Sequence, residues 1–141
     1  MWQKVMIIGN LGKDPELRYT PNGTAVTNFS VATNRKWTNA DGTPGEETVW
    51  FRVTAWSKLG ENCNKYLSKG RQVFVEGTLI PDPATGAPKV WTRTDGSAGA
   101  SFEIRADRVQ FLGQGNGGSK AEQGPESDTS YGNEEERELP F

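Results

Sequence analysis

Trp50, Arg52, Thr54 and Trp56 occupy alternate positions of one short run, and Val49, Phe51, Val53 and Ala55 fill the places between them. Successive side chains of an extended strand point to opposite faces. One face of residues 46–56 is therefore apolar and suits a core, while the other carries two indoles flanking a guanidinium. A solvent face would be polar throughout and a core face would exclude Arg52, so the second face suits neither. Indoles beside a cation make a surface on which flat, negatively charged polymers stack. Two other places repeat the pairing, Arg35-Lys36-Trp37 and Lys89-Val90-Trp91-Thr92-Arg93. A single Trp is more often a structural residue, and it is the recurrence that favours a binding surface. Trp2 fits three roles at once: part of that surface, a barrel plug or a subunit contact.

Stacking with charge contacts to a backbone tolerates any base sequence, because every base has a π-face, and each stacked base contributes ~1–3 kcal/mol. Single strands expose those faces and duplexes bury them. Base-edge reading by a basic helix has no candidate, since the one helical stretch mixes Glu61 with Lys58, Lys65 and Lys69. The expected ligand is a single-stranded nucleic acid bound without sequence preference.

Composition removes several other chemistries. The 141 residues include no His, so Ser-His-Asp and Cys-His pairs and His-ligated metals are excluded. One cysteine, Cys63, rules out an internal disulfide framework and a Cys-based zinc cluster. No metal or cofactor is expected. No apolar run approaches the ~20 residues of a membrane span, and the N-terminus has no signal-peptide pattern. A soluble protein of a reducing, cytoplasmic compartment, without membrane contact, is the expectation.

The elements that must position these residues are short strands punctuated by turns. Val5-Met6-Ile7-Ile8 forms the first, bent or ended by Gly9, Gly12 and Asp14-Pro15. Pro21-Asn22-Gly23 is a turn, and a second strand spans about 24–34, with Ala25, Phe29 and Val31 on one face. Residues 35–46 read as a polar loop before the third strand. Ser57 is a candidate N-cap for one helix of about ten residues carrying Leu59, Cys63, Tyr66 and Leu67, with Gly70 as its stop. A fourth strand spans about 71–80, with Val73, Val75 and Leu79 inward. A Pro-, Gly- and Thr-rich excursion, 81–100, has the makings of an extended hairpin around Lys89–Thr92. The fifth strand covers about 101–112. No internal repeat is expected. This order, five short strands with one short α-helix between the third and fourth, predicts an all-β, five-stranded oligonucleotide/oligosaccharide-binding (OB-fold) barrel, whose flanking loops take up ligand.

Charge divides the chain at the same point as hydropathy. Residues 1–112 hold 14 basic and 11 acidic groups, net +3, whereas 113–141 hold 2 and 7, net −5, giving −2 overall. Of the 26 Leu, Ile, Val and Phe, only Leu139 and Phe141 fall in the second part. With almost nothing to bury, 113–141 is expected to be a disordered, Gly-rich linker appended to a 1–112 domain. It ends in Glu134, Glu135, Glu136, Arg137, Glu138, Leu139, Pro140 and Phe141. An acidic run with an apolar tip suits capture by a basic-rimmed hydrophobic pocket on a partner protein.

The segments Val5–Glu16, with its Gly9-Asn10-Leu11-Gly12-Lys13-Asp14-Pro15-Glu16, Arg18–Gly23, Tyr66–Gly70 and Val73–Gly77 together resemble the bacterial single-stranded DNA-binding protein family along essentially the whole chain. That resemblance implies a homotetramer of barrels with single-stranded DNA wrapped over it, in the cytoplasm and associated with the nucleoid. It implies base stacking on Trp37, Trp50, Trp56 and Trp91. It makes Lys4, Arg18, Arg35, Lys36, Arg52, Lys58, Lys69 and Arg71 candidates for backbone contacts, to which the aromatic-basic pairing adds Lys89 and Arg93. Gln72, Phe74 and Gln110 match subunit-interface positions, and the tip matches a docking peptide for replication, recombination and repair proteins. Two features depart from the family pattern: a Glu-rich Leu-Pro-Phe tip interrupted by Arg137, and a long, Pro-rich 81–100 excursion. An RNA-binding barrel acting as an RNA chaperone is the alternative. A nuclease or phosphoesterase would need clustered carboxylates, which the scattered acids do not offer.

Overall fold

The computed structural model describes residues 1–113; the expectations for the acidic tip lie outside them. The elements are β1 (Val5–Leu11), β2 (Glu16–Tyr19), β3 (Ala25–Thr38), β4 (Pro44–Trp56), α1 (Ser57–Tyr66), β5 (Gln72–Leu79), β6 (Val90–Thr92), β7 (Ala98–Ala100) and β8 (Phe102–Leu112). The sheet runs β1-β5-β8-β4-β3, and β3 returns to β1 through Asn10↔Ala32 and Leu11↔Val31, closing a five-stranded barrel. The β4–β8 pairing is parallel and the others are antiparallel.

Closure requires one very close approach. A Cβ on Gly9 would stand 2.2 Å from the Ala32 carbonyl oxygen, so only a residue without a side chain lets β1 meet β3 there. The predicted first strand therefore runs on through Gly9 to Leu11. After a break at 12–15, β2 continues its line along β3, pairing Glu16–Tyr19 with Asn28–Ala25.

The barrel is filled by alternate side chains, among them Ile7, Leu11, Phe29, Val31, Val53, Ala55, Val73, Val75 and Ile104. Helix α1 closes one end with Cys63, while Leu67, just past its last turn, joins the same core. Buried Thr27 donates its hydroxyl to the Gly60 carbonyl at 2.6 Å, which ties α1 to β3.

Four local expectations need correction. Ser57 does not cap α1: it is the first helical residue, with φ 55°, and Trp56 holds the cap position without a side-chain bond. Gly70 lies beyond the helix end at Leu67 and instead forms the turn into β5, with φ 83°. Leu79 is exposed: β5 keeps its alternation through buried Gly77, the extra residue of the bulge being Asp107 in β8, but Leu79 is the last residue of the strand and lies past the buried core. The polar loop 35–46 shrinks to residues 39–43. Strands β3 and β4 continue past the barrel as a ribbon, pairing Arg35↔Glu47, Lys36↔Glu46 and Trp37↔Gly45. Opposite charges facing across strands stabilise this polar extension without any core beneath it.

Candidate nucleic-acid interface

Outward positions of β4 fall as the alternation requires. Trp50, Arg52 and Trp56 are exposed, Thr54 is half-buried, and the residues between them turn inward. Trp50 keeps 52% of its surface exposed although one side of its ring lies across Gly12, where a Cβ would come within 2.5 Å of the indole. The excursion folds as the expected hairpin, β6 and β7, and carries Trp91 to Trp50. Together with Lys13, Arg52, Asn28, Ser30 and Ser101 they line a cleft of about 350 Å³. The Ser101 hydroxyl is buried there without a partner among the described residues, an unused hydrogen-bonding group at the wall of the cleft.

A second groove of about 390 Å³ adjoins the first at Asn28 and is lined by Arg18, Tyr19, Thr54 and Trp56 among others. Trp56, Trp50 and Trp91 thus follow one another along a continuous surface, with Arg18, Arg52 and Lys13 beside them. None of these three cations takes part in a salt bridge among the described residues. Each can meet a phosphate without first breaking an ion pair.

Trp37 stands apart. Its parity is that of Phe29 and Val31, so it lies on the ribbon face that continues the barrel interior, opposite Trp50. There it donates from Nε1 to Asn39 at 2.8 Å and borders a hollow of about 470 Å³ with Lys36 and Gly45. The Arg35 guanidinium sits 5.0 Å from the Trp37 ring centre and 3.3 Å from Glu47. A strand stacking on both Trp37 and Trp50 must turn around the ribbon edge.

The remaining cations are dispersed. Lys4 is held by Glu76 at 2.9 Å and Asp107 at 3.1 Å, carboxylates that raise its pKa, and it lines none of these grooves. Lys58 pairs with Glu61 on α1. Lys69 is anchored by its backbone N–H to Asp14, and Arg71 keeps its Nε buried without a partner among the described residues. Lys89 is exposed ahead of β6, and Arg93 is spent on the hairpin turn, donating to the Ala98 carbonyl at 2.6 Å. Lys13, Tyr19, Asn28 and Ser30 are surface residues that sequence reasoning passed over. The alternation opposite Ala25, Phe29 and Val31 was enough to turn Asn28 and Ser30 outward.

Gln72, Phe74 and Gln110 lie elsewhere, on the outer face of β5 and β8, where Phe74 faces both Ile8 and Gln110 across strands. Met6 and Ile8 of the same face are exposed, and Trp2 is 84% exposed, which removes the barrel-plug role. Among the described residues no group of three or more His, Cys, Asp or Glu gathers to hold a metal, and no helix is long and apolar enough to cross a membrane.

The closed five-stranded barrel with its single helix and its aromatic, cationic outer surface is an OB-fold of the nucleic-acid-binding class. The model of the "Single-strand binding protein family" matches residues 2–112, and the chain belongs to that family. Curated relatives agree. The single-stranded DNA-binding protein of Neisseria meningitidis serogroup A is 40% identical over 86% of this chain and 67% of its own length. Single-stranded DNA-binding protein 1 of Chlorobaculum tepidum is 41% identical over 91% of this chain and 72% of its own. The solved Plasmodium falciparum SSB complex with ssDNA is similar with a TM-score of 0.65 at 27% identity, covering 80% of this chain and 97% of that one.

Proposed function

We propose that this chain is a non-enzymatic, sequence-nonspecific single-stranded DNA-binding protein that coats and protects single strands. The observation that carries the reading is the run of exposed indoles Trp56, Trp50 and Trp91 along joined grooves, with Arg18, Arg52 and Lys13 at their sides. Indole faces supply stacking energy and the cations meet phosphates, so affinity needs no base-edge code. Trp37, on the other face of the ribbon, extends the path and calls for a strand that wraps.

The working unit is a homotetramer in this reading. Two observations support self-association: Met6, Ile8 and Phe74 form an apolar outer face, and among the described residues Val5–Gly9 pair on one edge only. Gln72, Phe74 and Gln110 then belong to subunit contacts. The acidic tip, Glu134–Glu136, Glu138, Leu139, Pro140 and Phe141, recruits replication, recombination and repair proteins, on the strength of its composition and the family resemblance. The cytoplasm, on the nucleoid, is the place of action.

Titration with oligo-dT, followed by Trp fluorescence, tests the DNA reading. Quenching at saturation is expected, and log Kd should rise with log salt at about 0.7 per phosphate neutralised. Unchanged emission, or tighter binding of an RNA of equal length, would overturn the assignment. Molar mass in solution tests the tetramer. Deleting Leu139–Phe141 should leave DNA affinity intact and abolish capture of partner proteins; retained capture would refute the docking role.

A further inference from the structure

The ribbon tip and the excursion hairpin, remote in sequence, share a nine-residue pattern, so the chain holds a short internal repeat where none was expected. Trp37-Thr38-Asn39-Ala40-Asp41-Gly42-Thr43-Pro44-Gly45 matches Trp91-Thr92-Arg93-Thr94-Asp95-Gly96-Ser97-Ala98-Gly99, with Trp, Thr, Asp and both Gly identical and Thr43 matched by Ser97. The geometry repeats with it. Trp37 faces Gly45 across its hairpin as Trp91 faces Gly99, and Thr38 faces Pro44 as Thr92 faces Ala98. In both turns the third residue's N–H donates to the seventh residue's carbonyl, at 2.8 and 2.7 Å. Asp41 and Asp95 each accept from the N–H and the hydroxyl two residues on, the hydroxyl bonds both being 2.6 Å.

The two glycines of each copy serve different ends. Gly42 and Gly96 sit in the turns at φ 84° and 85° with open space around them, so conformation is what they supply. Gly45 and Gly99 have no positive φ to accommodate, and what they supply is room. A Cβ on Gly45 would fall 2.3, 2.4 and 2.7 Å from Cε2, Nε1 and Cζ2 of Trp37. One on Gly99 would fall 2.8, 2.8 and 3.1 Å from the same three atoms of Trp91. Each indole lies across its partner glycine with the same edge inward, and a side chain there would lift it. An aromatic covering a cross-strand glycine is a known way of pinning a ring to a sheet.

We propose that the two hairpins are copies of one stacking device, in which Gly45 and Gly99 are positioning residues that seat the Trp37 and Trp91 indoles against the backbone and leave the opposite ring face for a base. A seated ring has already lost its rotamer freedom, so a base stacking on it pays less for ordering. The same device on two separate hairpins gives the strand two footholds, Trp91 beside Trp50 over the barrel wall and Trp37 out on the ribbon, where the Arg35 guanidinium stands 5.0 Å from the ring centre. This inference rests on reading the indole surface as the single-strand interface.

The test is a pair of double-mutant cycles, Gly45→Val with Trp37→Ala and Gly99→Val with Trp91→Ala, in the full-length protein. Binding is measured by the anisotropy of labelled oligo-dT. Each Gly→Val should weaken binding by about 5- to 150-fold, the worth of a stacked base, and should add little once its own Trp is gone. Two-dimensional NMR supplies the readout that hairpin integrity alone would not move. In Gly45→Val the indole N–H resonance of Trp37 should shift while the turn amides of Gly42 and Thr43 hold their positions, and likewise for Trp91 with Gly96 and Ser97. Affinity within twofold of the unmodified protein, additive losses, or turn amides moving to unfolded positions would each overturn the seating role. Failure of the unmodified protein to bind oligo-dT would instead refute the interface reading, with the indole resonances still judging the seat.

Discussion

Truncating Trp50 probes the stacking surface at its centre. Complete burial of an aromatic side chain covers ~150–250 Å². With 52% of Trp50 exposed, about 100 Å² remains for a base to cover. At ~25 cal/mol per Å² that area is worth ~2.5 kcal/mol, and since a base covers one ring face rather than both faces and the rim, about 2 kcal/mol is the expected loss. Trp50→Ala should therefore raise Kd by about 30-fold. The measurement is anisotropy of labelled oligo-dT, oligo-dA and oligo-dC at one salt concentration, because the loss should be nearly equal for all three. The variant also gives up the packing of Trp50 across Gly12, so a modest fall in Tm is expected while the core around Val53 and Ile104 stays intact. A change in Kd below about threefold, or one confined to a single base type, would refute the stacking argument.

Other consequences concern the frame and the turns. Thr27→Val removes the hydroxyl's bond to the Gly60 carbonyl, which keeps its helical partner, and should cost ~0.5–1.5 kcal/mol in denaturant unfolding, with DNA affinity nearly unchanged. Burial pushes the Cys63 thiol up to about 12, so a thiol reagent at pH 8 should label the native chain slowly and the urea-unfolded chain rapidly; fast native labelling would contradict its place on the buried face of α1. Hydroxyl and N–H donors from Thr43 and Ser97 hold Asp41 and Asp95 below their ordinary pKa of 3.8. A depressed carboxylate pKa means stability present in full above the unfolded-state value and lost as pH falls through the lower folded one. Emission from the hairpin tryptophans should thus be flat down to about pH 4 and change below it, and Asp41→Asn with Asp95→Asn should remove that transition.

How far the sequence reads unaided depends on the range of the interactions involved. The barrel's element order followed from local signals: alternation along β4, turn chemistry at Asn22-Gly23 and the helical spacing through Cys63. The ribbon extension did not, because Arg35, Lys36, Glu46 and Glu47 look like a solvated loop until their pairing across the strands is seen. Ser57 met every local criterion for a cap, yet the strand runs straight into the helix at Trp56 and leaves no room for one.

Residue types and spacing by themselves determined the all-β barrel, the indole-and-cation chemistry and the family, since each is written in neighbouring positions along one strand or motif. Tertiary structure alone decided which indoles cooperate. It joined Trp56, Trp50 and Trp91 along linked grooves, placed Trp37 on the opposite ribbon face, and tied Lys4 to Glu76 and Asp107 away from them. It also separated the glycines that bend a chain from those that make space for a ring. The physical reason is common to all of these: a side chain's charge and shape belong to its residue type, but its neighbours across a barrel are set by strand register.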